Sequence, residues 1–353
     1  MQLTSRRLGS GLAALSLVAG IAAYAASSSV PANAAAGTKV TSVAIATPAK
    51  DNDYGWNSQG VAGLQAAAKS FGITNVKVVT NIGYPTTPAV LQSLAAAHYG
   101  LIIAHASGYD TQAQQVAKRY HVPIVTYDVA TEKSPGTLTN ITTSSQQGAY
   151  LAGILAAKTT KTNTIGVIIS ASDTNWYEME GGYIAGARSV NPKITVKNAE
   201  ISSAGYDDSA GGKRVATSMI ATGADVIFAM GDDASFGYLQ AISTAKASHK
   251  VWYIGDIGDF TPIDTQHVLL SSVLWNFTTA YKTFISQIEN GTFGQQGYNL
   301  TLANGGISLL HSKYIPASVW SQITTAQSGI EKGSISVPDT TTAGKVTALL
   351  NKK

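Results

Sequence analysis

The sequence predicts an α/β protein in which a doubly wound parallel sheet is built twice, and three observations carry that expectation. The chain has 353 residues, more than one hydrophobic core usually encloses, so two lobes are expected. Short runs rich in Val and Ile recur at intervals of roughly 20 to 30 residues, and they are near-continuous rather than alternating, as parallel strands buried on both faces require. Between these runs the apolar residues fall at helical spacing, and strands alternating with helices are the signature of doubly wound sheets.

Taken in order, the first strand is expected over Val40–Ala49, followed by the polar loop Asp51–Asn57 and a helix over Gln59–Phe71 that Gly72 stops. Strands are then expected at Val76–Thr80, Leu101–Ala106 and Ile124–Asp128, with helices at Pro88–Ala97, Gln112–Tyr120 and Gln146–Lys158 between and after them. The second series runs through strands Thr164–Ser170, Thr195–Ile201, Val226–Met230, Val251–Asp256 and Val268–Val273. Its helices are Glu178–Ser189, Ser209–Thr222 (stopped by Gly223), Ser235–Lys246 and Thr279–Asn290. The expected division is an amino-terminal lobe of residues 39–140 plus 276–303 and a carboxyl-terminal lobe of residues 141–275 plus 304–338. The tail at 339–353, rich in Thr and Lys, is expected to be poorly ordered toward its end.

Composition limits the function. Charged residues make up only 12% of the chain, so Ser, Thr, Asn, Gln and Gly must supply much of the surface polarity. Residues 1–34 read as a signal peptide: Arg6 and Arg7 form a basic start, Leu12–Ala26 an apolar stretch and Ala32-Asn33-Ala34 a small-residue cleavage site. Removing that leader takes the 24 basic residues to 22 against 20 acidic ones, a balance that gives no reason to expect nucleic acid as a partner. There is no cysteine, which excludes disulfides, thiol catalysis, cysteine metal sites and a lipid anchor on cysteine. The expected protein is exported, free in a periplasm or secreted, and monomeric.

Enzymatic signatures are missing. The chain has no Gly-x-Ser-x-Gly elbow, phosphate-binding Gly-Lys-Ser/Thr loop or His-Glu-x-x-His. The six histidines are scattered without ligand spacing and read as surface or packing residues, so no metal and no cofactor are expected. Gly181-Gly182-Tyr-Ile-Ala-Gly186 lies inside a helical pattern and reads as close helix packing rather than a dinucleotide site. In doubly wound sheets the ligand sits beyond the carboxyl ends of the strands. The loops expected there gather nine of the 20 acidic residues, among them Asp53, Asp128, Asp232 and Asp256, and the aromatics Trp56, Trp176, Phe236 and Trp275. Large aromatics are usually core residues, yet Trp56, Trp176 and Phe236 stand among polar neighbours, which favours a cleft; Trp275 ends a strand and can point either way. Flat rings beside carboxylates and amides suit a stacked heterocycle whose edge is read by hydrogen bonds.

From about Lys39 to Leu310 the chain resembles the basic-membrane-protein family of solute-binding proteins for ABC importers. Asp53-Tyr-Gly-Trp-Asn57 is similar to that family's Asp-x-x-aromatic-Asn motif, and Tyr150–Ala157, Gly186–Pro192 and Gly223–Ile227 are similar to other family segments. The resemblance implies the type I periplasmic-binding-protein fold with hinge crossovers, a purine-like ligand in the cleft between the lobes, and a membrane permease as partner. It implies that Trp56 and Phe236 stack on the base, with Asp53 and Asn57 at its edge and Asp256 in the position of an aspartate that holds ribose hydroxyls. One departure stands out. Nucleoside-binding members carry a lysine where Ser272-Val-Leu-Trp275 ends in tryptophan here. Ser107-Gly108-Tyr109 and Trp275-Asn276 resemble a branch associated with free purine bases, so a nucleobase is the favoured ligand, with a purine nucleoside or a flavin, or a sensing role beside a membrane receptor, as the alternatives. The candidate site residues are therefore Asp53, Trp56, Asn57, Ser107, Tyr109, Asp128, Trp176, Asp232, Phe236, Asp256 and Trp275.

Overall fold

In the computed structural model, residues 37–352 are described; the expected signal peptide lies outside them. Two six-stranded sheets organise the chain. The first is assembled from β1 (Ser42–Ala46), β2 (Asn75–Val79), β3 (Leu101–Ala104), β4 (Ile124–Tyr127), β5 (Leu138–Thr143) and β11 (Tyr298–Leu300), in the order β11-β5-β4-β3-β1-β2. All its pairings are parallel. The second holds β6 (Thr164–Ile169), β7 (Thr195–Glu200), β8 (Val226–Met230), β9 (Trp252–Ile257), β10 (Leu269–Trp275) and β12 (Ile307–Leu309), in the order β12-β10-β9-β8-β6-β7. Only the β10–β12 pair is antiparallel there.

The central strands explain themselves. Leu101–Ala104, Ile124–Tyr127 and Val226–Met230 are buried along their whole length, which accounts for their unbroken apolar composition. The edge strands β2 and β7 are half-exposed and correspondingly more polar. Three of the strands have no counterpart in the sequence-based expectation. β5, Leu-Thr-Asn-Ile-Thr-Thr, is too polar to stand out as an apolar run, and β11 and β12 are three residues each.

Helices cover both sheets. On the first are α1 (Trp56–Ser70), α2 (Thr87–Ala96), α3 (Asp110–Tyr120) and α8 (Thr278–Glu289). The second carries α4 (Ser145–Thr159), α5 (Thr174–Val190), α6 (Ser209–Ala221), α7 (Ala234–Ser243) and α9 (Ala317–Glu331). The glycines of α5 serve packing: a Cβ at Gly182 or Gly186 would collide with the α4 backbone at Gln146 or Tyr150. The tail corrects an expectation of poor order. It folds into α10 (Ala343–Asn351), where Arg188 of α5 donates to the carbonyls of Leu349 and Leu350, the latter at 2.8 Å. Thr340 Oγ1 donates to the Tyr177 carbonyl at 2.7 Å.

The chain passes between the sheets three times: from β5 into α4, from β10 into α8, and from β11 to β12. Because every pairing but β10–β12 is parallel, the loops that follow the parallel strands collect at one end of each sheet. The carboxyl ends of the two sheets face a shared cleft, and that cleft holds the site.

Candidate functional site

Between the sheets lies a cavity with about 670 Å³ of space unfilled by protein, its open mouth included. Its walls come from segments at or beyond strand carboxyl ends. Pro48, Ala49 and Trp56 follow β1, Tyr84 follows β2, and Ala106 and Ser107 follow β3. From the other sheet come Asp173, Asn175 and Trp176 after β6, Tyr206 and Asp207 after β7, Asp232 after β8, and Ile257 and Trp275 at the last positions of β9 and β10.

The Asp51–Asn57 loop presents Trp56 through a capped helix start. Asp53, 1% exposed, accepts at one carboxylate oxygen from the amides of Gly55 (3.1 Å) and Ser58 (3.0 Å). At the other it accepts from the amide and side chain of Asn57 (2.9 and 2.7 Å). These amides belong to the first turn of α1, which would otherwise be left without partners. Asp53 and Asn57 are thus occupied in building the helix start and are not among the residues that line the cavity.

Trp56 itself is locked. Its ring stacks on His105 at 4.3 Å and 19°, its Nε1 donates to the His105 carbonyl at 3.0 Å, and His105 Nε2 donates back to the Trp56 carbonyl at 2.9 Å. Burial holds the His105 pKa down to about 3, so the ring is neutral and its Nδ1 accepts from Tyr127 Oη at 2.6 Å. Tyr127 Oη is in turn 2.6 Å from Tyr281 Oη of α8. A Cβ at Gly60 would collide with the His105 ring, so only glycine leaves room for this support.

On the opposite wall, Asp173 caps α5, accepting from the Asn175 amide at 2.8 Å and from Tyr206 Oη at 3.2 Å. Trp176 tilts against Tyr206 with centroids 5.0 Å apart. Trp275 meets Trp56 edge-on at 6.1 Å and is 3% exposed. Asp232 is 9% exposed, and among the described residues its carboxylate has no hydrogen-bond donor. Burial pushes its pKa well above the usual carboxylate range, and the neighbouring charges of Asp53, Asp207, Asp256 and Asp233 push it further. Burial also raises Asp173 and Asp207. The same three carboxylates, Asp232, Asp173 and Asp207, act on Tyr84 and raise its phenol beyond what burial does.

The structure therefore gathers Trp56, Ser107, Trp176, Asp232 and Trp275 around one cavity and places the remaining candidates elsewhere. Tyr109 is buried beneath the loop and donates to the Gly83 carbonyl at 2.5 Å. Phe236 packs edge-on against Tyr54 at 6.4 Å and is not among the cavity's lining residues. Asp256 is 1% exposed and off the cavity lining; the Gly231 amide approaches it at 3.4 Å, and Trp176 also favours its charged form. Asp128 accepts from Ser107 Oγ at 2.5 Å and from Asn175 Nδ2 at 3.1 Å, and so joins the two lobes rather than lining the cavity. Each is polar or aromatic near a strand end, but its own surroundings in the protein use the side chain.

Tyr84, Tyr206 and Asp207 are absent from the sequence-based candidates although they follow the edge strands β2 and β7, and the strand-end rule applied to every strand reaches them. Asp173 and Asn175 carry a signal of their own, the Asp-Thr-Asn run ahead of a helical pattern, which marks a helix cap. Among the described residues no group of three or more His, Cys, Asp or Glu side chains is arranged to hold a metal.

Comparison with known proteins places this geometry. Residues 40–341 match the family model Bmp, described as ABC transporter substrate-binding protein PnrA-like. A relative named ABC transporter nucleoside-binding protein BmpA, from Lactococcus lactis subsp. cremoris, is 29% identical over 84% of this chain and 88% of its own. The transcriptional activator protein med of Bacillus subtilis is 26% identical over 74% of this chain and 80% of its own. A solved ABC transporter solute-binding protein from Conexibacter woesei superposes with a TM-score of 0.72 at 21% identity, covering 85% of this chain and 99% of that one. The fold is that of a type I periplasmic-binding protein.

Proposed function

Because this chain belongs to the Bmp family of PnrA-like ABC transporter substrate-binding proteins, we propose that its cavity captures a planar purine-like heterocycle, a nucleobase rather than a nucleoside. The protein delivers that ligand to a membrane permease, working as an exported monomer without making or breaking a bond. One observation carries the reading: Trp56, Tyr84, Trp176, Tyr206 and Trp275, drawn from both lobes, line a single cavity that also presents carboxylates. Offset or edge contacts to such rings each add about 0.5–1.5 kcal/mol beyond area burial. A ligand edge bearing N–H groups finds acceptors in Asp173, Asp207 and Asp232.

Two features favour the base over the nucleoside. By the family resemblance Trp275 stands where nucleoside-binding members carry lysine, and a ring there would fill space that a ribose needs. Asp256, the expected hydroxyl acceptor, is off the cavity wall. A second reading, ligand sensing without import, draws on the relative named as a transcriptional activator; an adjacent permease and ATPase gene pair would decide against it.

The test is a thermal-shift screen with purine bases, nucleosides and flavins. A ligand at a hundredfold its Kd adds about 2.7 kcal/mol to stability, a visible shift. Bases should move the transition more than their nucleosides, and Trp56→Ala should weaken the best binder about tenfold or more, roughly 1.4 kcal/mol. A transition moved only by non-purine compounds would reject the assignment.

A further inference from the structure

The cavity wall is asymmetric in charge. Its lining includes three carboxylates, Asp173, Asp207 and Asp232, and neither Lys, Arg nor His. All three come from the lobe of the second sheet. Lys50 on the first loop is exposed and acts on Asp233, outside the lining. Asp173 is already engaged by the Asn175 amide and the Tyr206 hydroxyl. Asp207 is exposed at the rim. Asp232 differs from both: it is nine-tenths buried, it lines the cavity, and no donor among the described residues reaches its carboxylate. A buried carboxylate without a donor is costly, so it persists where something else supplies the partner. Around it stand electron-rich rings, Trp56, Tyr84, Trp176 and Tyr206, whose faces attract cations.

We infer that the cavity selects a positively charged planar heterocycle over neutral and anionic ones, with Asp232 as the buried counter-ion. This rests on the reading of the cavity as a heterocycle site and adds to it the ligand's charge. The aromatic walls supply ring contacts to any flat ligand. The carboxyl groups discriminate, because a phosphate or carboxylate group on the ligand would enter a wall that offers three of them and no cation. Burial and the neighbouring carboxylates raise the Asp232 pKa. A permanent cation favours the ionised form and so releases any proton held there as it binds, whereas a neutral base does not.

The experiment is calorimetric titration of the full mature chain with three probes sharing one ring: a purine made cationic by alkylation of a ring nitrogen, the neutral base, and the nucleoside 5′-monophosphate. The expected order of affinity is cation, neutral base, monophosphate. The cation should bind at least tenfold tighter than the base, and its apparent enthalpy should vary with the buffer's ionisation enthalpy, which reports the released proton. In Asp232→Asn the ratio of cation to base affinity should fall toward one. Asp207→Asn, at the exposed rim, should reduce the same ratio more weakly and serves if the first variant fails to fold. A monophosphate that binds as tightly as the base, or an unchanged cation preference in both variants, overturns the inference. A fourth probe, a quaternised quinolinium, separates the two readings. If it binds while no purine does, the charge selection stands and the purine assignment falls; if it and the purines all fail to bind, the inference falls.

Discussion

Asp256 carries a carboxyl group into the interior, where burial outweighs the hydrogen bonds from Gly231 and Trp176 that favour its charge. It is 1% exposed, one oxygen has no partner, and burial pushes its pKa up to about 8 from an ordinary 3.8. Its folded-state value lies above its unfolded one, so its contribution to stability is fully present below about pH 4 and is lost as the pH rises through about 8. Glu178, pushed to about 8 by burial and the nearby Asp339, and Glu180, pushed to about 7 by burial, act with the same sign. The ligand-free protein should therefore melt at a higher temperature at pH 5 than at pH 8.5. Asp256→Asn should flatten that profile, removing up to about 1.4 kcal/mol per pH unit across the window; melting curves in matched buffers check it, and an unchanged slope would mean that Asp256 is ionised. This residue also shows what a sequence cannot display. Asp53, Asp232 and Asp256 all stand at or just beyond strand carboxyl ends, yet one caps a helix, one faces the cavity and one is buried off its lining. Those fates depend on which groups lie nearby in space, which the local sequence does not display.

At the level of elements, apolar runs located the buried strands because parallel strands covered on both faces must be apolar throughout, as Val226–Met230 is. The same signal fails for β5, whose Thr and Asn side chains find partners in the loops above it: Thr139 Oγ1 donates to the Gln296 carbonyl at 2.9 Å and Asn140 Nδ2 to the Glu132 carbonyl at 3.0 Å. The tail failed in the other direction, since its order depends on Arg188 and Gly181 of a distant helix. The loops hold one further constraint that composition hides. Tyr54, with φ 59°, reaches from the first loop across to Phe236 and Phe260 of the second lobe, at 6.4 Å from each ring. There its carbonyl lies against Gly258, where a Cβ would collide with the Tyr54 backbone. Because the obstruction is main chain, it can be relieved only by moving one lobe from the other. Gly258→Ala should hold the lobes apart, enlarging the ligand-free protein in small-angle scattering and weakening the ligand about tenfold, roughly 1.4 kcal/mol. Unaltered scattering would mean that the loop yields instead.

Across the whole molecule, the two lobes are joined by three crossing segments and by a small polar bridge beside the cavity. Asn175, at the start of α5, donates to Asp128 at 3.1 Å and accepts from Thr143 Oγ1 at 2.8 Å, and both partners belong to the first sheet's lobe. Asn175 also lines the cavity, so the bridge and the ligand contact share one side chain. A ligand that bears on both walls stabilises the closed arrangement by the difference in its contacts between open and closed states, and by no more than that. Weakening the bridge should therefore lower the closed population and reduce apparent affinity by the same factor. Thr143→Val is the cleanest probe, because Thr143 lies off the cavity wall and valine keeps its shape while removing the hydroxyl. One net hydrogen bond is worth about 0.5–1.5 kcal/mol, so apparent affinity should fall by about threefold to tenfold. The ligand-free protein should expand in scattering, while the saturated protein should match the wild type. The slowing should appear in ligand association if closure precedes binding, and faster dissociation should appear if closure follows it, which stopped-flow tryptophan fluorescence from Trp56 can resolve. Equal affinity and equal dimensions would show that the aromatic contacts of Tyr54, and not the polar bridge, hold the lobes together.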